Sequence, residues 1–392
     1  MVFSKEASSS SHGLNPTSPE ETPLLPKLKL LSSQPKTFAN VFIAVVGAGV
    51  LGLPYCFKRT GWVVSLLMLF SVAALTHHCM MLLVRTRRRL ESVMGFTNIA
   101  SFGDLGFIVC GSVGRFAVDL MLVLSQAGFC VGYLIFIANT LANLFNSPTP
   151  TNLHPRILGL MPKTMYIWGC FPFQLGLNSI STLTHMAPLS IFADIVDVGA
   201  MGVVMIEDVF IFFKNRPSVE AVGSLSMFFY GLGVAVYAFE GFGALGYFAF
   251  GEDTKDIITA NLGTGLVSFL VQLGLCVNLF FTFPLMMNPV YEVVERRLYN
   301  GRYCLWLRWL LVLTVILVAL LVPNFTDFLS LVGSSVCCGL GFVLPALFHL
   351  MVFKEEMGWG GVSLDVGIVV VGVVLGVSGT WYSLVEIFSV KV

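Results

Sequence analysis

Three glycines within an apolar run have the spacing of a nucleotide-binding motif: Gly47, Gly49 and Gly52. The pattern Gly-x-Gly-x-x-Gly is typical of dinucleotide-binding turns, which also require an acidic residue about 20 positions downstream. No Asp or Glu occurs between Glu21 and Glu91, and Pro54 falls where the helix of such a turn should be forming. The spacing therefore does not predict a nucleotide site, and the sequence predicts no cofactor. None of the nine cysteines has the spacing of metal ligands, so no metal site is predicted.

The composition is that of a protein embedded in lipid. The chain has 392 residues, of which 56% are hydrophobic and only 11% are charged, whereas soluble domains carry about 25% charged residues. Because a mean hydropathy of +0.86 leaves too little polar surface to face water, we expect a lipid bilayer as the solvent. The net charge of zero gives no overall attraction to nucleic acid, and no nucleic-acid partner is predicted.

Ten apolar runs follow an N-terminal tail, and about twenty residues suffice for a helix to cross a bilayer. The runs occupy residues 37–57, 60–84, 116–145, 164–184, 187–213, 220–250, 262–290, 304–323, 326–353 and 362–388. The run at 220–250 fits neither one span nor two, because its 31 residues would form a helix about 46 Å long. We predict an all-α, polytopic membrane protein with its transmembrane domain over residues 37–390.

The basic residues between the runs predict the orientation in the membrane. An arginine cluster follows the second run at residues 85–89, and the tail carries four lysines, so the positive-inside rule predicts a cytosolic N-terminus. If the run at 220–250 crosses once, the 22 Lys and Arg divide into 11 on each side; if it enters and returns, they divide 14 to 8. The second division gives the cytosolic excess that the rule expects.

The glycine run is better explained as a break in a membrane helix. Each glycine destabilises a helix by up to about 1 kcal/mol, and Pro54 follows closely. Unwound backbone survives at membrane depth only where it lines a cavity or is buried in protein. In secondary transporters, such breaks present a half-helix N-terminus to the carboxylate of a substrate. Close packing of two helices through small residues is the alternative interpretation.

A second break is predicted at residues 237–251. The glycines of this stretch are Gly241, Gly243 and Gly246. Glu240 lies inside the same apolar run, where a carboxylate is costly without a function or a partner. Glu240 either carries a transported proton or is protonated and bonded to a neighbouring helix. Gln126 and Tyr133, seven residues apart in the third run, share a helix face and are predicted to look into a central cavity.

The first 36 residues differ from the rest of the chain. They are rich in Ser, Pro and Thr, which predicts a disordered cytosolic tail. Glu20 followed by Leu24 and Leu25 matches the acidic dileucine pattern that endosomal sorting adaptors bind, although chance in a biased tail also explains it. No paired catalytic carboxylates and no nucleophile with a nearby base occur in the sequence, so an enzyme is not predicted.

Several segments together resemble the amino acid/auxin permease family: residues 36–62, which contain GAGVLGLP, and residues 125–140, 171–180, 184–208 and 283–297. The likeness is to plant vacuolar amino acid transporters, which are similar to the proton-coupled amino acid transporters of animals. It implies an inverted-repeat fold of two five-helix repeats and an eleventh helix, with the first and sixth helices broken around a neutral amino acid. It also implies proton-coupled export to the cytosol across the vacuolar membrane (the tonoplast).

The resemblance also implies particular substrate contacts. The substrate carboxylate would meet the backbone of Gly47, Ala48, Gly49 and Val50. The second break would comprise Tyr237, Phe239, Glu240 and Gly241.

The chain departs from the family pattern after Gly241. A charged loop and most of a seventh helix are expected there, yet Gly241 runs directly into residues 242–251. About ten spans are therefore expected here, against eleven in the family. Two functions stay open: a secondary transporter of neutral amino acids, and a non-transporting variant that acts as a binding or regulatory subunit in the membrane.

Overall fold

The computed structural model describes residues 48–93, 99, 101–145, 161–180, 187–224, 227–238, 243–262 and 265–389, and these residues contain no strand. Their α-helices are α1 (Leu53–Thr60), α2 (Trp62–Val93), α3 (Phe102–Phe145), α4 (Pro162–Asn178), α5 (Ala187–Asn215), α6 (Phe228–Ala238), α7 (Gly243–Phe250), α8 (Leu266–Leu298), α9 (Leu305–Leu321), α10 (Phe325–Val332), α11 (Leu344–Phe353) and α12 (Trp359–Ser389). Two π-helical turns, Gly333–Cys337 and Gly339–Val343, join α10 to α11 as one continuous helix.

Five helices among the described residues are long and apolar enough to cross a membrane: α2, α3, α8, the continuous α10–α11 helix and α12. Two shorter apolar helices, α6 and α9, accompany them. The all-α, multi-pass membrane fold predicted from the apolar runs is confirmed. Several boundaries differ: α2 ends at Val93 instead of residue 84, and α8 ends at Leu298 instead of residue 290. The largest difference is at α3, which begins at Phe102 instead of residue 116, because a short leading helix joins it at Gly111, whose φ of 65° makes a kink.

The outer surfaces of the spans are apolar because they meet lipid instead of water. On α12, Val370, Val373 and Val377 are exposed, whereas Gly372 and Gly379 are buried. Small residues on the inward face let the backbones of neighbouring helices approach closely.

The helices define two ends of the bundle. We call one the basic end; there the last turn of α2 meets the residues that follow α11, and Arg89 pairs with Glu356. We call the other the strap end, because it carries residues 251–262, which we call the strap. The amide of Trp62 donates to the carbonyl of Glu220 there, at 3.1 Å, so the start of α2 and the segment before α6 lie together.

The apolar run at 220–250 enters the bundle and returns to the same end. The amide of Glu220 donates to the Tyr247 hydroxyl at 3.0 Å, although the two residues lie on opposite sides of α6 in the sequence. The 11 residues of α6 and the 8 of α7 correspond to about 16 and 12 Å of helix. Neither can cross a hydrocarbon core of about 30 Å. Both α6 and α7 therefore belong to the strap-end half of the bundle.

This return decides between the two charge divisions. The described Lys and Arg at the basic end are Arg85, Arg87, Arg88, Arg89, Arg115, Arg296, Arg297, Arg302, Arg308 and Lys354. Those at the strap end are Lys58, Arg59, Lys163, Lys214, Arg216 and Lys255. The excess at the basic end agrees with the arrangement in which 220–250 enters and returns.

Candidate functional site

The predicted first break is a turn of 3-10 helix. Ala48–Gly52 adopts it, and α1 begins directly afterwards at Leu53 with a proline in its first turn. A Cβ added to Gly49 would lie 2.8 Å from the Cα of Ala238, the last residue of α6. The turn therefore packs against the end of α6 with no room for a side chain at Gly49.

Tyr237 lies between two clusters of buried hydrophobic residues. Its ring meets the ring of Phe129 edge-on, with centroids 5.0 Å apart. A Cβ on Gly132 would lie 3.2 Å from its hydroxyl, and a Cβ on Gly49 would lie 2.9 Å from its ring. Of the three core clusters, one is built largely on α3, α8 and α9, and a second on α1, α2 and α6. Tyr237 packs against these two. The first break, α3 and the end of α6 thus converge on one tyrosine.

Gln126 and Tyr133 lie on α3 close to this convergence. Tyr133 is buried, and it is among the ionisable groups nearest to Tyr237. The Oε1 atom of Gln126 is buried and has no hydrogen-bond partner among the described residues. A buried carbonyl oxygen without a partner is costly, and the role of Gln126 as a substrate contact stays a prediction.

Several predicted residues lie outside the described residues. They are Gly47, Phe239, Glu240 and Gly241 of the two breaks, and Glu20, Leu24 and Leu25 of the sorting pattern. Their assigned roles stay predictions, as does the division between the tail at 1–36 and the domain at 37–390. The structure describes the backbone of Ala48 and Val50. The backbone is the part of these residues that is predicted to contact the substrate carboxylate.

Sequence reasoning missed the close contacts that surround Tyr237. A Cβ on Gly333 would collide with the carbonyl of Gly233, so α6 crosses the continuous α10–α11 helix at backbone distance. That crossing lies at a π-helical turn, and such turns are frequent at functional sites. Gly128 and Gly132 form a Gly-x-x-x-Gly pair on α3 that could have been noticed as a helix-packing signal.

A polar network lies between this convergence and the strap end. The Tyr230 hydroxyl donates to Asp327 at 2.7 Å, and the Asn324 amide donates to the same carboxylate at 2.8 Å. Asp327 is only 2% exposed. Arg59 lies 5.9 Å from the Tyr230 ring and pairs with Glu386 at 2.8 Å. Sequence patterns gave no signal for this network, because its members come from distant helices.

A large apolar cavity of about 610 Å³ lies elsewhere, between α3, α4 and α8. Its walls include Ile137, Tyr166, Phe173 and Phe280, and it contains none of the predicted site residues. An amino acid carries two charged groups, which need polar partners when they leave water. This cavity suits an acyl chain better than a zwitterion, so we place the candidate site at Tyr237.

Comparisons with known proteins identify the family of the chain. The model of the family described as transmembrane amino acid transporter protein matches residues 31–244 and 241–385. Amino acid transporter AVT3C of Arabidopsis thaliana is 64% identical over 436 aligned positions, which cover 100% of this chain and 100% of that protein. AVT3B of the same plant is 66% identical, over 94% of this chain and 97% of that protein. The more distant vacuolar amino acid transporter 3 of Schizosaccharomyces pombe is 24% identical, over 81% of this chain and 53% of that protein.

The same comparisons show the internal gap. The alignment with AVT3C has 436 positions but this chain has 392 residues, so 44 aligned positions have no counterpart here. The two family matches meet at residues 241–244, where the sequence predicted a missing block. The relatives are transporters and not enzymes, and the chain belongs to the transmembrane amino acid transporter protein family.

Proposed function

We propose that this chain carries neutral amino acids across the vacuolar membrane, coupled to protons and directed toward the cytosol. The observation that carries the proposal is the meeting of the turn Ala48–Gly52 with Tyr237 between the two core clusters. The helix α1 begins at Leu53, immediately after that turn. The N-terminal end of a helix has a partial positive charge, which suits the carboxylate of an amino acid.

The surroundings of Tyr237 support a substrate without a charged side chain. Within the part of the chain that the structure describes, the ionisable groups nearest to Tyr237 are Tyr133, Cys337 and Cys130, none of which is a carboxylate or a cation. Its packing neighbours Phe129 and Gly132 are uncharged as well. A cationic or anionic side chain would find no counter-ion among these residues and would lose its hydration.

The membrane and the orientation are supported by charge and by the relatives. The excess of basic residues at the basic end favours a cytosolic position for that end. The strap end would then face the lumen. The vacuole is supported by the S. pombe relative, which is named a vacuolar amino acid transporter.

A second candidate, a non-transporting subunit, is favoured by the gap of 44 aligned positions. Because α6 and α7 both lie in the strap-end half, the basic-end half lacks the helices that would follow Gly241 in the family. Alternating access requires a wall on each side of the site in turn. A protein without part of that wall would bind an amino acid but would not release it on alternate sides.

Reconstitution separates the two candidates. The chain as written, and a version with the missing segment restored from AVT3C, would be placed in liposomes to measure radiolabelled alanine uptake with and without a pH gradient. If the first candidate is right, the chain as written shows gradient-dependent uptake. Uptake by the restored version alone would support the second candidate. If neither version takes up alanine, the proposal that the site at Tyr237 transports amino acids is contradicted.

A matched pair of glycine variants controls this assay. A valine at Gly49 would collide with Ala238, whereas a Cβ at Gly199 on α5 meets no atom within 4 Å. In whichever version transports, we expect Gly49→Val to abolish uptake and Gly199→Val to leave it unchanged. Equal activities would show that the Ala48–Gly52 turn does not form part of the pathway.

Removal of the Tyr237 side chain tests the site itself. We expect Tyr237→Ala to lower alanine uptake at least tenfold in the transporting version, because the ring that separates the two core clusters is lost. Tyr237→Phe keeps the packing on Phe129 and isolates the hydroxyl. Tyr299→Ala, at a position 46% exposed beyond the end of α8, serves as the control. Uptake by Tyr237→Ala at the level of this control would move the site elsewhere.

A further inference from the structure

The large apolar cavity between α3, α4 and α8 has no part in the proposed function. Its volume of about 610 Å³ is in the range of sites that hold small ligands, about 300–1,000 Å³. The cavity opens on the side of the bundle, where Phe173 of its wall is 67% exposed. Because its three walls belong to apolar runs long enough to cross a bilayer, the medium at this opening is lipid. A ligand that reaches the cavity therefore comes from the membrane.

The cavity has the depth of one leaflet. Its α4 wall begins at the strap end, where the Lys163 ammonium donates to the carbonyls of Val322 and Pro323, just before α10, at 2.7 and 2.8 Å. From there the wall extends from Pro162 to Phe173, 11 positions apart, which corresponds to about 16 Å of helix. Half of a hydrocarbon core of about 30 Å has nearly the same depth. The cavity therefore matches an acyl chain of the strap-end leaflet, with its polar end near Pro162.

Two polar groups lie near the strap-end limit of the cavity. Tyr166 is part of the wall, and its hydroxyl has no hydrogen-bond partner among the described residues. Lys163 follows Pro162 of the wall and is half-buried. Its ammonium has three N–H donors, of which the two carbonyls before α10 use two. Tyr166 and Lys163 can thus each donate to an anion at the level of the lipid headgroups.

The charge of Lys163 favours one kind of lipid. No described carboxylate lies within ion-pair distance of its ammonium, and Asp256 acts on it only from farther away. Basic groups between membrane helices bind the phosphate of lipid headgroups. A sterol would offer a neutral hydroxyl and leave the ammonium without an anion, and a partly buried cation is costly without one.

We propose that this cavity binds one acyl chain of a glycerophospholipid from the strap-end leaflet, with the lipid phosphate at Lys163 and Tyr166. The chain would lie between Ile137 of α3, Gly169 of α4 and Phe280 of α8, and would hold these three helices together. The lipid site is separate from the candidate amino acid site at Tyr237, so it stands whether or not the chain transports.

Native mass spectrometry of the full chain in detergent tests the cavity. The chain would be incubated with dipalmitoyl phosphatidylglycerol, and the retained lipids counted as the collision energy is raised. In the parent we expect one lipid per chain to remain after the others are removed. A Cβ on Gly169, in the wall of the cavity, meets no atom within 4 Å. Gly169→Phe should therefore fill the cavity without displacing backbone and lower the retained fraction at least fivefold.

Gly176→Phe is the matched control. Gly176 lies on the same helix, also has no atom within 4 Å of an added Cβ, and is not part of the cavity wall. This variant should retain the lipid as the parent does. Equal retention by Gly169→Phe and Gly176→Phe, or no retained lipid in the parent, would overturn the proposal.

A comparison of ligands tests the headgroup. Dipalmitoyl glycerol has the same two chains but no phosphate, and we expect the parent to retain it at least fivefold less than phosphatidylglycerol. Equal retention of these two lipids would contradict the role given to Lys163 and Tyr166. Stronger retention of cholesterol than of phosphatidylglycerol would assign the cavity to a sterol and overturn the proposal as well.

Photocrosslinking locates the lipid even if Gly169→Phe does not fold. A phosphatidylglycerol with a diazirine at the end of one chain should label the parent on α8 near Val277 and Phe281, which lie in the cavity wall. We expect this labelling to exceed labelling of α12 near Val377, which is 68% exposed on the outer surface, at least fivefold. Labelling of α12 that equals or exceeds that of α8 would show a general lipid coat instead of a site.

Discussion

Replacement of Gly333 by alanine should lower the thermal stability of the protein and abolish transport, although alanine is the better helix former. A single methyl group at this position would collide with the carbonyl of Gly233 and lie 3.1 Å from the Cβ of Tyr237. The positions of the Gly233 carbonyl and the Tyr237 Cβ are fixed by the backbone of α6, so a change of side-chain rotamer cannot relieve the contact. Overpacking of this kind costs about 1–3 kcal/mol. It would also push α6 away from the α10–α11 helix at the level of the site.

The control lies eight residues further along the same helix. A Cβ on Gly341 meets no atom within 4 Å, and both glycines lie in π-helical turns of the continuous helix. Gly341→Ala should therefore be neutral or raise the stability, since Ala is favoured over Gly by up to about 1 kcal/mol within a helix. The same substitution is expected to have opposite signs at the two positions. Thermal unfolding in detergent and alanine uptake would measure both, and equal effects would mean that the helices do not cross at backbone distance.

The glycine crossing shows where sequence reasoning ends. Gly233 and Gly333 are one hundred residues apart, and neither stands in a pattern that names its partner. The density of glycines at 47–52 predicts a departure from α-helix, and Ala48–Gly52 is 3-10 helix. The contact between that turn and Ala238 was not readable, because it depends on how α6 is placed by its neighbours.

The run at 220–250 was predictable in part. Its length excluded a single ordinary span, and the basic residues downstream favoured an arrangement in which it returns. The bond between Glu220 and Tyr247 shows the return itself. The hydrogen bonds from the amides of Phe325 and Thr326 to Asp256 had no sequence signal, because the strap has no periodicity and the donors are backbone groups. Local pattern thus predicts the apolar spans, whereas side-chain partners across the bundle require the structure.

Glu295→Gln should be the most destabilising single change of a polar side chain at the basic end. Glu295 and Arg308 form an ion pair at 2.8 Å, with side chains only 8% and 7% exposed. One oxygen of Glu295 also accepts the amide of Cys304, at 3.2 Å. The arginine lies between the rings of Tyr291 and Tyr303, 4.7 and 4.4 Å from their centroids. The glutamine would leave a buried guanidinium without its counter-ion, at a cost of about 3–5 kcal/mol.

Two comparisons show whether charge or packing is responsible for that loss. Glu91→Gln removes an exposed carboxylate that pairs with Arg87 one helical turn away, and such pairs contribute only about 0.3–0.5 kcal/mol. The double change Glu295→Met with Arg308→Met removes both charges and keeps most of the volume, so it should recover most of the stability lost in Glu295→Gln. Denaturant unfolding in mixed micelles measures all three. If the double variant is as unstable as the single one, the contacts of Arg308 with the two tyrosine rings, and not its charge balance, hold α8 to α9.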